Sequence, residues 1–278
     1  MFKLLDVKPV SGSLGAIVSG VDLSKPVAEA TFAEIHKAIL KHQVIFFQNQ
    51  SINPAQYLEF AKLFGHIADY PFAKGMDDYP EIVEIIKEPD QTSNFGGMWH
   101  TDTAYMYEPP NYTLLYAVET PPVGGDTIFS NMYLAYDNLS KGMKYIISCL
   151  SGVNSSALHK GTLRGDHLSS GSMQKKNSDA HTAVHPAIRT HPETSRKALY
   201  VNSSHTAEFA ELTHSESAPI LAYLFSLATK PEFTCRFQWT QGCLAIWDNR
   251  CTQHCAINDY DGYRRVMQRI TISGERPE

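Results

Sequence analysis

The chain has 278 residues, a formal net charge of -5, and 43% hydrophobic, 11% aromatic and 19% charged residues. A chain this apolar can bury enough surface to exclude disorder; the mild acidity excludes the basic footprint of a nucleic-acid binder; and no run nears the roughly 20 apolar residues of a membrane-spanning helix. Five scattered cysteines without a CxxC pair fit a reducing compartment, and the start MFKLLDVKPVSG lacks the apolar stretch of a signal peptide, so a cytoplasmic protein is expected.

Residues 14–23 (LGAIVSGVDL) read as strand broken by glycine. Phe32, Ile35, Ala38 and Ile39 fall at helical spacing and predict a helix over 31–40, and the run VIFFQ from Val44 reads as a buried strand. Pro54 opens a second amphipathic helix with Tyr57, Phe60, Ala61 and Phe64 on one face, ended by Gly65. Short strands are then predicted at 81–86, 99–105, 113–119 and 126–130, with Pro121-Pro122 and Gly124-Gly125 as punctuation, before a helical pair at 132–148. Residues 160–182 are polar and rich in glycine and serine, as expected of a loop or lid. Strand at 198–202, helix at 216–229, and strands at 232–239, 242–249 and 264–273 complete the chain. The pattern predicts a mainly β architecture with helical decoration, a β-sandwich or jelly roll, in one domain over 1–278.

The sharpest local feature is Trp99-His100-Thr101-Asp102-Thr103. On a strand, His100 and Asp102 project to one face, which supplies two ligands of the two-His-one-carboxylate triad of non-haem Fe(II) oxygenases. A hydrogen-bonded strand histidine gives the same pattern, and Gly165-Asp166-His167 is a competing cluster. The segment from Ala245 to His254 ends an apolar strand in a polar turn that delivers another histidine. Arg265 and Arg269, four apart, face one side of the last strand, where two guanidiniums make an anion site; a solvated strand face is the plainer alternative. A zinc hydrolase with the same ligands, or a non-catalytic jelly-roll binding protein, also remains open at this level, although no HExxH or comparable motif supplies a hydrolytic base.

Taken together, WHTDT, GGDT (124–127), WDNR and the following QH (247–254), and the arginine pair resemble the taurine dioxygenase and 2,4-D dioxygenase (TauD/TfdA) family of Fe(II)- and 2-oxoglutarate-dependent oxygenases. The similarity extends to GAIVSGVDLS, HQVIFFQNQ, RTHP (189–192), ALYVN and KPEFTCRFQW. The resemblance implies a double-stranded β-helix in which His100, Asp102 and His254 bind iron, and Thr127 and Arg265 hold the distal carboxylate of 2-oxoglutarate. It places Arg269 near the metal, against the primary substrate or the near carboxylate of the cosubstrate, and assigns Trp247 and Asn249 to shaping the turn. The implied reaction consumes O2 and 2-oxoglutarate, releases succinate and CO2, and hydroxylates a small anionic substrate; hydroxylation beside sulfur or oxygen leads on to cleavage. Where taurine-specific members carry a sulfonate-binding histidine this chain has Tyr70, and His205 stands for a pocket phenylalanine, so taurine itself is not the expected substrate. Tyr70, His205, Tyr105 and Arg269 are the candidate substrate contacts. A homo-oligomer, dimer or tetramer, is expected, with no nucleic-acid or membrane partner. His36 and His42 are expected to be solvated, and His185 and His191 to be turn residues.

Overall fold

A computed structural model describes residues 2–158 and 180–278. Its largest layer is a seven-stranded sheet that runs, in spatial order, β1 (Asp6–Pro9), β2 (Ala16–Ser19), β3 (Val44–Phe47), β13 (Leu244–Asp248), β5 (Tyr112–Glu119), β15 (Arg265–Ile272) and β4 (Val83–Lys87). Facing it is a three-stranded sheet of β12 (Thr234–Phe237), β6 (Thr127–Asn131) and β14 (Thr252–Ala256). Most neighbours are antiparallel and distant in sequence: β13 pairs with both β3 and β5, and β15 with both β4 and β5. The two sheets form the expected jelly roll.

The unbroken run Val44–Phe47 makes sense in this arrangement. Side chains alternate across a strand, so a strand covered on both faces needs apolar residues at every position. Val44 and Phe46 point between the sheets, where the Phe46 ring stacks on Phe237 at 3.9 Å and meets Phe129 and Trp247 in one cluster. Ile45 and Phe47 point the other way, onto helices α1 (Glu29–His42) and α2 (Pro54–Lys62), which contribute Ile35, Ile39, Tyr57 and Phe60. Each such side chain, taken fully out of water, stabilises the fold by about 1.5–3 kcal/mol before entropy is charged against it. The start of α2 is fixed by Pro54 and by a reciprocal cap in which Asn53 Oδ1 accepts from the Gln56 amide and Gln56 Oε1 from the Asn53 amide.

A second apolar cluster joins α3 (Met132–Asp137), α4 (Lys141–Ile147) and α5 (His214–Ala228) to the sheet of β11 (Thr206–Phe209), β7 (Ser151–Ser155) and β8 (Thr182–Pro186), and to the pair β9 (Ile188–Thr190) and β10 (Lys197–Leu199). Among the described residues no helix is long and apolar enough to cross a membrane.

Three expectations need correction. The segment 99–105 is not a strand: only His100 pairs, in a single antiparallel bridge to His254, and turns follow, with Thr103 in the left-handed region at φ 41°. The buried polar residues there bond to the distant β13–β14 turn instead of extending a ladder: Thr101 Oγ1 donates to the Thr252 carbonyl, and Asn249 Oδ1 accepts from the Asp102 amide. His42 is buried at the end of α1 rather than solvated. His185 is not a turn residue but lies within β8; His191 does head a turn, closed by the Ser195 amide on its carbonyl, but the turn is buried: both histidines are 1% exposed, and His191 is bonded through Nε2 to Asp248.

Candidate active site

The space between the sheets opens at one end into a cavity lined by Ile85, Leu115, Trp247, Arg265 and Arg269 from the large sheet and by Thr127, His254 and Ala256 from the small one. Phe95, Gly96, His100 and Asp102 close it from the loop before β5. A wider groove between α2 and residues 23–27 carries no convergent polar groups and lies on the helical face.

His254 reaches the cavity because β14 pairs with β6, setting His254 opposite Phe129. The mutual amide–carbonyl bonds between His100 and His254, 3.0 and 2.8 Å, then lock the loop onto β14 and set the two imidazoles side by side, with ring centroids 4.2 Å apart. The turn after His100 swings Asp102 in beneath them: its Oδ1 lies 3.6 Å from His100 Nε2 and 3.9 Å from His254 Nε2. One donor atom of each of His100, Asp102 and His254 falls within a 4.8 Å cluster. His100 Nδ1 faces the Met98 carbonyl at 2.6 Å, which turns its Nε2 inward. The other oxygen of Asp102, Oδ2, accepts from Thr113 Oγ1 at 2.7 Å.

The electrostatics put Asp102 and His254 in the protonation states a cation requires. Burial alone would raise the Asp102 carboxyl, but Arg269, then His254 and His100, hold it well below the usual carboxylate range. Burial, followed by the neighbouring His100, pushes the His254 imidazole well below its ordinary value and keeps it neutral. The donor set, two imidazoles and one carboxylate with one side open, fits Fe(II).

Arg265 and Arg269 sit on the cavity side of β15, as their even spacing predicts, each about 5% exposed. Among the described residues, Nε and Nη2 of both lack a hydrogen-bond partner. Arg269 Nη2 is 3.1 Å from Asp102 Oδ1, near enough for charge attraction but not aligned as a hydrogen bond. The Tyr70 ring covers its guanidinium at 4.9 Å. Arg265 is flanked by the Trp239 and Tyr260 rings, each 5.9 Å away, and burial lowers its pKa. Buried guanidinium donors left unpaired are costly, and they mark where an anion docks.

Thr127 lies at the start of β6, after the Gly124-Gly125 turn. Both glycines have positive φ, and a Cβ on Gly124 would stand 2.6 Å from the Asp259 carbonyl, so only glycine lets the turn pass. Trp239 Nε1 donates to Thr127 Oγ1 at 2.9 Å and leaves the hydroxyl hydrogen for another acceptor. Trp239 was not singled out from the sequence; an indole at the end of a strand carries no signal until its partner is known.

The remaining predicted residues stand beside the cavity rather than on its walls. Tyr105 and His205 are buried, 4.9 Å apart, behind His100. Of the loop expected at 160–182, residues 160–179, with the competing cluster at 165–167, lie outside the described residues. His181 packs its ring on Phe72 and Tyr105, at the margin of the same aromatic group. A second convergence, His191, Asp248 and Cys251, is filled by Arg250, which donates to both Asp248 oxygens.

Comparison with known proteins agrees with this geometry. Residues 6–271 match the family described as taurine catabolism dioxygenase TauD, TfdA family. An alkylsulfatase of Acinetobacter baylyi is 32% identical over 275 residues, 98% of this chain and 86% of the relative. An alpha-ketoglutarate-dependent sulfate ester dioxygenase of Pseudomonas putida is 32% identical over 98% of this chain and 91% of its own length. Among solved structures, a taurine dioxygenase from Burkholderia xenovorans superposes with a TM-score of 0.84 at 32% identity, covering 99% of this chain and 93% of that one. The jelly roll, the convergent donors and these likenesses carry one conclusion: the chain belongs to the TauD/TfdA family and is a dioxygenase dependent on Fe(II), 2-oxoglutarate and O2.

Proposed function

We propose that His100, Asp102 and His254 hold the iron, that Thr127 and Arg265 hold the distal carboxylate of 2-oxoglutarate, and that Arg269 receives the charged end of a small anionic substrate, first among them a sulfate ester or sulfonate. The observation that carries this reading is the meeting, in one cavity, of a His-Asp-His set with two buried arginines whose Nε and Nη2 find no hydrogen-bond partner among the described residues. Arg265 lies on the Thr127 side and Arg269 on the Asp102 side, so the cavity has a station for each of two anions. The sulfate-ester and sulfonate activities named for the relatives support that choice of substrate.

Bound iron supplies the oxidising chemistry that couples decarboxylation of 2-oxoglutarate to hydroxylation of a C–H bond. The chain's own residues position and exclude. Arg265 and the Thr127 hydroxyl grip one carboxylate; Ile85, Leu115 and Phe95 provide apolar walls that keep water out; Arg269, braced by Tyr70, orients the substrate. Tyr105 and His205 back the wall on the His100 side and set its width. We propose that residues 1–278 act as one catalytic domain, since both sheets contribute to the cavity. A zinc hydrolase would need a further base facing the ligand set, and among the described residues the other charged groups lining the cavity are the two arginines.

Anaerobic protein given Fe(II) and 2-oxoglutarate should develop the weak visible charge-transfer band of a chelated keto acid, and succinate should form in air with sulfate esters or sulfonates. Absence of the band at full iron occupancy would sink the reading; faster turnover of neutral substrates than of every anion would remove the role of Arg269. The cosubstrate end has its own test. Trp239→Phe deletes the donor to Thr127 and should raise the 2-oxoglutarate KM by about 0.5–1.5 kcal/mol, roughly 2- to 12-fold, with the substrate KM unmoved. An equal rise in both KM values would point instead to a general loosening of the cavity.

A further inference from the structure

Asp102 has two oxygens, and their surroundings differ. Oδ1 faces the two histidine Nε2 atoms at 3.6 and 3.9 Å, whereas Oδ2 takes a 2.7 Å hydrogen bond from Thr113 Oγ1. Thr113 is fully buried at the start of β5, directly opposite Trp247 on β13. Its hydroxyl has one proton to give, and the direction of that proton is fixed from behind: Asn249 Nδ2 donates to Thr113 Oγ1 at 2.9 Å. Asn249 is oriented in turn, because its Oδ1 accepts from Trp247 Nε1 at 3.1 Å and from the Asp102 amide at 3.4 Å. The chain therefore runs Trp247 N–H to Asn249, Asn249 amide to Thr113, Thr113 O–H to Asp102 Oδ2, with every member at most 2% exposed.

Resting on the ligand assignment above, we propose that Thr113 is a positioning residue which, aimed by Asn249 and Trp247, occupies Asp102 Oδ2 and leaves Oδ1 alone for the metal. A carboxylate free to rotate can offer both oxygens and take two coordination positions; one held through Oδ2 takes a single position and preserves three open ones for cosubstrate and oxygen. The side chain also holds the carboxylate against Arg269, which pulls on Oδ1 from 3.1 Å.

The test is titration of the apoprotein with Co(II) alone, read by calorimetry and by the visible spectrum of the bound ion. Thr113→Val keeps the shape and removes the hydroxyl; it should weaken Co(II) binding roughly 10- to 100-fold and change the spectrum, while the apoprotein melts as wild type. Thr113→Ser restores the hydroxyl and should return both the affinity and the spectrum. Trp247→Phe, which keeps an aromatic ring but deletes the N–H at the far end of the chain with the rest of the indole, should weaken binding roughly 2- to 10-fold, and it decides the matter if Thr113→Val fails to fold. Wild-type affinity and spectrum in folded Thr113→Val, no rescue by serine, or unchanged Co(II) binding in Trp247→Phe overturns the proposal. Failure of wild-type apoprotein to bind Co(II) would instead overturn the ligand assignment itself.

Discussion

Asp102→Ala is expected to give no measurable 2-oxoglutarate turnover at any iron concentration, with a larger loss of metal than His254→Ala. The difference follows from charge. Asp102 is the anion among the donors, and Arg269 stands 3.1 Å from its Oδ1. Without the carboxylate, a dication would have to sit among two imidazoles with an uncompensated guanidinium beside it, in a cavity where charges are weakly screened. His254→Ala removes one neutral nitrogen and leaves the attraction in place. The metal affinity of Asp102→Ala should accordingly fall well beyond the roughly 10- to 100-fold loss typical of an outer partner. The apoprotein should also lose stability, on the order of 3 kcal/mol, because Arg269 is 5% exposed and is left without its anion. Iron content after anaerobic loading, succinate formation and apoprotein melting measure the three effects. Wild-type iron content in Asp102→Ala would mean that the cluster of donors is not the metal site.

Much of this site is legible in the sequence, because its chemistry is written in residue types. His100, Asp102, His254, Thr127, Arg265 and Arg269 all reach one cavity. The even spacing of the two arginines places them on one face of β15, and that holds despite a register shift between Val266 and Met267, because the extra residue, Val118, is on β5 and the pairing of β15 with β4 runs unbroken from Arg265 to Arg269. His100 and Asp102 reach one face by another route than strand alternation: the chain makes one bridge and a turn there. Thr101, Asp102 and Thr103 are all buried polar residues, and their bonding is to Thr252, Asn249 and Thr113, partners whose nearness no local pattern encodes.

The residues that escaped notice share a cause. Thr113 opens an apolar strand and Trp239 follows another; each matters through a single hydrogen bond to something distant in sequence. His191 illustrates the same limit. Beside a proline it reads as a turn residue, and it does head a turn, yet Asp248, 57 residues later in the chain, arrives at its Nε2. Periodicity reports which face of an element is apolar, not which buried polar atoms meet across the core.

The largest stability effect should come from Asp248→Asn. Asp248 is 1% exposed at the end of β13 and is the hub of a charge network: Arg250 Nε donates to Oδ1 at 2.8 Å, Arg250 Nη2 to Oδ2 at 2.7 Å, and His191 Nε2 lies 2.9 Å from Oδ2. Arg250 reaches on to Glu193 Oε1 at 2.8 Å and to the Tyr112 hydroxyl. Asparagine keeps the shape but removes the charge, leaving a guanidinium 2% exposed with Glu193 as its remaining carboxylate. Removing one partner of a buried pair costs about 3–5 kcal/mol, and urea unfolding at pH 7 should return a loss of that size. The pH dependence has a definite sign. Burial alone would raise the Asp248 carboxyl, but Arg250 and then His191 hold it far below its unfolded value of about 3.9. A depressed carboxylate contributes its stability in full above the unfolded value and loses it as pH falls towards the folded one. The gap between wild type and Asp248→Asn should therefore be constant above about pH 5 and shrink below about pH 4, because the wild type alone loses this contribution. A gap as wide at pH 3 as at pH 7, or one under about 1 kcal/mol throughout, would show that Arg250 does not depend on Asp248 for its burial. Because Asn249 follows directly and donates to Thr113, the same variant should also bind Co(II) more weakly, linking the stability of this network to the metal cluster through one peptide bond.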